Sequence, residues 1–192
     1  MNEHSQIQSG ESVMPQIERL WVPRWILDKT WLLLRQDGLK NVESTALWGG
    51  RRFGSDACVM SVLYPCGYDV SFSRGLVRVG PDTTAEMGRW LRGQSLRALA
   101  QVHTHPKDWI GHSRTDDEGP IVSAEGFVSI VWPCYASLPA ITARDLGVHR
   151  LSRGRWHKLE HEEADRLLKI VESEAAVWAV HPDASTDQEE VF

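Results

Sequence analysis

The run at residues 95–104 (SLRALAQVHT) is the strongest constraint on what this chain can fold into. Its residues alternate with the period of two that belongs to a half-buried strand, so the chain must build a sheet around it. Leu96, Ala98, Ala100 and Val102 share one parity; Leu99, Gln101, His103 and His105 share the other. Pro106 ends the strand directly after the second histidine. The other segments read as follows. Residues 21–39 predict a helix, with Trp21, Trp25, Leu32 and Leu39 on one stripe and Gly38 as its stop. Residues 42–48 predict a short strand closed by Gly49 and Gly50, and residues 58–64 a strand ended by Pro65. A looser strand follows at 70–79, then a helix from Pro81 carrying Glu86, Met87, Trp90 and Leu91. Residues 126–131 (GFVSIV) predict an apolar strand stopped by Pro133. Residues 147–151 and 155–159 predict a hairpin turning at Ser152, Arg153 and Gly154. A helix at 160–178 buries Ala164, Leu167, Leu168, Val171 and Ala175. Strands and helices mixed around one core give a mixed α/β (α+β) fold class.

Length and charge narrow the functional classes. The 192 residues suit one domain with a sizeable core, assigned to residues 17–180, with a loose tail at 1–16 and an acidic tail at 181–192. Net charge is −5 and no basic block stands out, so nucleic acid is not an expected partner. No apolar run approaches the roughly 20 residues of a membrane helix. The polar N-terminus lacks the pattern of a signal peptide. Cys58, Cys66 and Cys134 are an odd number without CxxC spacing, which indicates neither a disulfide framework nor a four-cysteine zinc site. A cytoplasmic protein with reduced thiols is the expectation, and Cys66 and Cys134 read as buried, inert thiols.

Chemistry gathers at His103-Thr104-His105-Pro106. Two histidines two apart on a strand face the same way, so both imidazoles can reach one ion. Zinc accepts such nitrogens at about 2.0–2.1 Å and, in catalytic sites, leaves one position for water. Seven residues separate His105 from Ser113, and two more separate Ser113 from Asp116, which offers a third ligand. S-x-x-D is also a helix-capping box, and the two readings are compatible: a capped helix is a rigid way to aim Asp116. Glu43, opening an apolar strand, is the candidate base. Nearby His112, Asp108 and Asp117 read as loop residues in water.

The run HTHPKDWIGHSRTDD resembles the JAMM motif of JAB/MPN metalloproteases, E then H-x-H-x7-S-x2-D, and ESTALWGG resembles the family's glutamate strand. The resemblance covers about residues 20–175. It implies an MPN/JAB fold, a curved mixed β-sheet flanked by helices, with Zn2+ held by His103, His105 and Asp116. Glu43 would be the general base, and Ser113 would stabilise the oxyanion. The HTHP…HS–TDD wording followed by SIVWP looks like bacterial JAB proteins associated with ubiquitin-like conjugation. That likeness implies a peptidase or isopeptidase acting after the C-terminal tail of a ubiquitin-like protein, in antiphage defence. Ubiquitin-activating-like and ubiquitin-conjugating-like proteins are the further partners it implies. The alternatives are release of an amino acid or peptide from a sulfur-carrier-like protein, and a non-catalytic MPN scaffold. Other metal families fit less well. A metallo-β-lactamase-like H-x-H-x-D meets Lys107 at its aspartate position, and the P-C-x-x-C of zinc deaminases fails at Ser137. Nine tryptophans are present; Trp25, Trp31, Trp132 and Trp178 read as core anchors, while Trp109 lies between ligands and is a candidate to line a substrate channel. Residues 66–80 are the candidate edge for an extended substrate.

Overall fold

In the computed structural model, which describes residues 16–173, the strand read first is central to the sheet. β6 (Arg97–Thr104) lies between β2 (Thr45–Phe53), antiparallel to it, and β7 (Val128–Trp132), parallel to it. Outward from β2 come β3 (Asp56–Leu63), β1 (Arg19–Pro23) and β10 (Leu168–Val171). Outward from β7 come β8 (Gly147–Ser152) and β9 (Arg155–Lys158). The eight strands form one mixed sheet, with β1 parallel to both β3 and β10. A separate two-stranded sheet joins β4 (Val70–Phe72) to β5 (Val77–Val79).

Helices cover both faces. On one, α1 (Arg24–Gly38) and α4 (His161–Leu167) place Ile26, Leu27, Leu34, Ala164 and Leu167 against Trp48, Val102 and Ile130. Trp48 is fully buried, and its indole N–H donates to Thr30 Oγ1 at 2.8 Å, so its one polar group is satisfied inside the core. On the other face, α2 (Pro81–Gly93) packs Met87 and Leu91 against Leu47 and Leu96. The mixed α/β class is therefore as expected, a sheet curled between helices.

Several boundaries differ from expectation, each for a physical reason. The first helix begins at Arg24, not 21, because residues 19–23 alternate between exposed and buried and pair as a strand. Short apolar runs suit either state, and only the partner strands decide. The last helix likewise ends at Leu167; Leu168 turns extended and the chain pairs Leu168–Val171 with Leu20–Pro23. Ala175 and Trp178 lie outside the described residues, as do residues 1–15 of the first tail and all of the acidic tail, 181–192. The loose strand at 70–79 is two short strands. Of the expected core tryptophans, Trp132 is buried, whereas Trp25 and Trp31 are only partly so.

Gly49 and Gly50 do not end β2; they run through it at a bulge. Opposite them β6 carries one extra residue: Trp48 faces Ala100 while Gly49 faces Ala98. The bulge splits the expected parity. Ala98 joins the α2 face, while Ala100 and Val102 join the α1 face. A Cβ on Gly50 would run into the Cys58 carbonyl of β3, and one on Gly49 into Leu91 of α2. Gly50→Ala therefore forces backbone apart in the sheet; urea unfolding should show a loss of about 1–3 kcal/mol or more.

Candidate metal centre

The tip of β6 and the two segments beside it build the site. His103 is paired with Thr45 of β2 and Val131 of β7. One residue beyond the strand, the His105 amide donates to the Trp132 carbonyl at 2.9 Å and so prolongs the β6–β7 ladder. Thr104 and Ser44 exchange hydrogen bonds, the Thr104 amide to the Ser44 carbonyl and the Ser44 amide to Thr104 Oγ1, both 3.0 Å. That exchange leads Glu43 to the histidines. Glu43 sits just ahead of β2, and its amide donates to the Ser73 carbonyl at 2.8 Å.

Asp116 arrives on α3 (Arg114–Glu118), a five-residue helix too short to hold its shape alone. Its capping box is present in full: the Asp116 amide donates to Ser113 Oγ at 3.2 Å, and the Ser113 amide donates to Asp116 Oδ2 at 2.6 Å. The same carboxylate faces both imidazoles, Oδ1 at 3.5 Å from His103 Nε2 and Oδ2 at 3.2 Å from His105 Nε2. Ligand atoms of the three residues lie within 4.8 Å of one another, the one such group among the described residues.

The protonation pattern suits a cation. His105 Nδ1 lies 3.1 Å from the Trp109 carbonyl, which only accepts, so Nδ1 carries the hydrogen and Nε2 turns its lone pair toward Asp116. A lone pair facing a carboxylate oxygen is tolerable only with a proton or a metal ion between them. Buried His103 Nε2 finds no hydrogen bond of acceptable geometry, its approach to Asp116 being an ion-pair distance. Two imidazole nitrogens and a carboxylate, converging in a buried place, fit a divalent metal.

Electrostatics agree. Burial opposes the charged form of Asp116, but the facing imidazoles of His103 and His105 outweigh it and hold the carboxyl far below its usual range. Burial also opposes a charged His105, yet Asp116 lifts its pKa above the ordinary value. Glu43, 8% exposed, is pushed from 4.5 to about 7 by burial, with His105 pulling it down and Asp116 pushing it up.

All six residues singled out in the sequence come together: Glu43, His103, His105, Trp109, Ser113 and Asp116 line one pocket, which Leu76 and Val77 close from the β4–β5 side. Trp109 is 53% exposed, and its ring stacks on His105 at 5.1 Å between centroids. Three expectations fail. Cys66 and Cys134 are exposed, not buried. His112 is not solvated: its side chain is 4% exposed, stacks on His149 at 4.0 Å and contacts His103 at 5.6 Å. Burial first, and then the neighbouring His103, keep His112 well below its ordinary pKa. Gln101, Ser129 and His149, in cross-strand register on the same face, were not singled out as part of the site. The signals were present in Gln101, which shares the parity of His103, and in Ser129, a lone polar residue in an apolar strand.

No family model matches the chain. It is 25% identical over 160 residues to a probable metalloprotease from Sinorhizobium fredii, covering 83% of this chain and 98% of that protein. Among solved structures it resembles a protein from Desulfitobacterium hafniense, with TM-score 0.60, 16% identity, 80% of this chain and 94% of that one. That likeness speaks to the fold alone. A looser likeness, TM-score 0.44 at 12% identity, is to a JAB1/MPN domain protein from Archaeoglobus fulgidus, over 80% of this chain and 97% of that one.

The raised pKa of Glu43 has a sign that can be measured. Between 4.5 and about 7 the folded protein keeps a proton that the unfolded chain releases, so stability falls as pH climbs through that window. Glu43→Gln removes the buried charge. In metal-free protein its melting temperature should exceed that of the wild type at pH 8 but not at about pH 5. Thermal unfolding across that range checks it.

Proposed function

We propose that this protein, a JAB/MPN chain by its motif and its metalloprotease relative, is a metal-dependent peptidase or isopeptidase. The observation that carries the reading is the convergence of His103, His105 and Asp116, with Glu43 and Ser113 in the same pocket. The curated relative's name, probable metalloprotease, supports it. Zinc is the metal assigned, since two imidazoles and one carboxylate form its usual catalytic donor set. Held by His103, His105 and Asp116, zinc supplies Lewis-acid polarisation of the scissile carbonyl and acidifies water.

The chain's own residues account for the rest. Glu43, titrating near pH 7, is suited both to taking a proton from the attacking water and to returning it to the leaving amine. Ser113 Oγ accepts from the Asp116 amide, which leaves its hydroxyl hydrogen free to donate to the oxyanion. Such a donor is worth about 10²–10³ in rate. Trp109, stacked on His105 with half its surface exposed, offers a flat wall for a substrate residue.

The substrate proposed is the C-terminal tail of a ubiquitin-like protein, cleaved from a precursor or a conjugate, with activating-like and conjugating-like enzymes as functional partners in antiphage defence. The motif's wording and the apolar pocket wall of Leu76 and Val77 support this reading. No described helix is long and apolar enough to cross a membrane.

The test is metal content together with cleavage. Purified protein should hold one zinc per chain, and His103→Ala should lose it. Glu43→Gln should keep the metal while cleavage of a ubiquitin-like fusion falls by about 10²–10⁴-fold. Zinc retained by His103→Ala would refute the site. A zinc-loaded protein that cleaves no such fusion, and no sulfur-carrier-like one, would make it a scaffold.

A further inference from the structure

Asp116 is the one proposed ligand that no strand positions. It rides on five helical residues, with non-regular chain from His105 to α3 and again from α3 to β7. The capping box fixes Asp116 relative to Ser113, but it does not fix α3 relative to the histidines. That second task falls to a buried polar row on the sheet beneath.

Gln101 of β6 lies two residues before His103 and directly opposite Ser129 of β7. Both side chains are buried, at 5% and 0% exposure. The Ile121 amide, after α3, donates to Gln101 Oε1 at 3.0 Å. Gln101 Nε2 then donates to Ser129 Oγ at 3.1 Å. Ser129 Oγ meets His112 Nε2 at 2.9 Å, and His112 Nδ1 meets Asp117 Oδ1 at 3.1 Å. The carboxylate of Asp117 only accepts, so Nδ1 carries the ring hydrogen and the Ser129 hydroxyl donates to Nε2. Each donor in the chain has one acceptor. The segment bearing Asp116 is thus tied down on both sides of α3, by His112 before it and Ile121 after it.

We infer that Gln101 and Ser129 are positioning residues for Asp116, acting through His112 and Ile121 to hold α3 over the histidine pair. This rests on the metal site proposed above and adds residues that touch neither the metal nor the substrate. Outer partners of metal ligands are typically worth about 10–100-fold in affinity because they remove the ligand's freedom to turn away.

Zinc titration of the metal-free protein against a competing chelator tests it. Gln101→Leu and Ser129→Ala should each weaken zinc binding by about 10-fold or more. His112→Phe keeps the ring and its stacking but loses both hydrogen bonds, and should do the same; it answers the question should Gln101→Leu fail to fold. The effect must run through Asp116, so in an Asp116→Ala background the same substitutions should add no further loss. Unchanged affinity in folded Gln101→Leu and His112→Phe overturns the inference, as does an equal loss in the Asp116→Ala background. If Asp116→Ala itself binds zinc as tightly as the wild type, the metal site fails and this inference with it. If Asp116→Ala weakens binding while the row does not, only the inference fails.

Discussion

The site depends on β6 being paired on both sides. A strand between β2 and β7 has its amides and carbonyls committed to neighbours, so its side chains cannot rotate about the strand axis. His103 inherits that rigidity, and His105 borrows it through one added bond to Trp132. The same pairing draws Glu43 in, since the exchange between Ser44 and Thr104 holds the preceding residue beside the histidines, where it lines the same pocket. A loose strand end would scatter these groups by more than an ångström, and catalytic geometry tolerates far less.

Burial sets the electrostatics of these groups. Taking Glu43, His105 and Asp116 out of water disfavours each charge, and their mutual interactions decide which charges persist. Asp116 wins because two imidazoles and the capping amide face it; Glu43 has no comparable donor and is left near neutrality in its pKa. A cation among the ligands would relieve the lone-pair crowding at His105 Nε2 and the unsatisfied His103 Nε2 together. The arrangement is poor as bare protein and good as a metal cage, the usual mark of a functional rather than a stabilising cluster.

Legibility in the sequence followed the distance over which each feature is decided. β6, β7, the β8–β9 hairpin and α2 were readable because their alternation, helical stripe or turn residues are local. The Ser113–Asp116 box was readable for the same reason: four consecutive residues satisfy one another. Trp21 and Leu168 read as helical because a strand of five residues (β1) or four (β10) directly beside a helix is too short to show a period of its own, and their state depends on β1 and β10 finding each other across most of the chain. Gly49 and Gly50 read as a stop, yet they are where α2 and β3 approach β2 too closely for side chains. His112 read as a loop residue because nothing near it in sequence foretells Ser129 or His149.

By itself the sequence determined the candidate ligand set: two histidines on one strand face, then a capped aspartate at a fixed remove, are geometry written within fourteen residues, 103–116. Only the tertiary structure decided that Glu43, just ahead of β2, reaches that set, and that Gln101 and Ser129 lie beneath it. The physical reason is strand pairing. A β-strand satisfies its backbone with whichever distant strand completes the ladder, so which residues become neighbours across a sheet is settled by the whole fold and not by any local pattern.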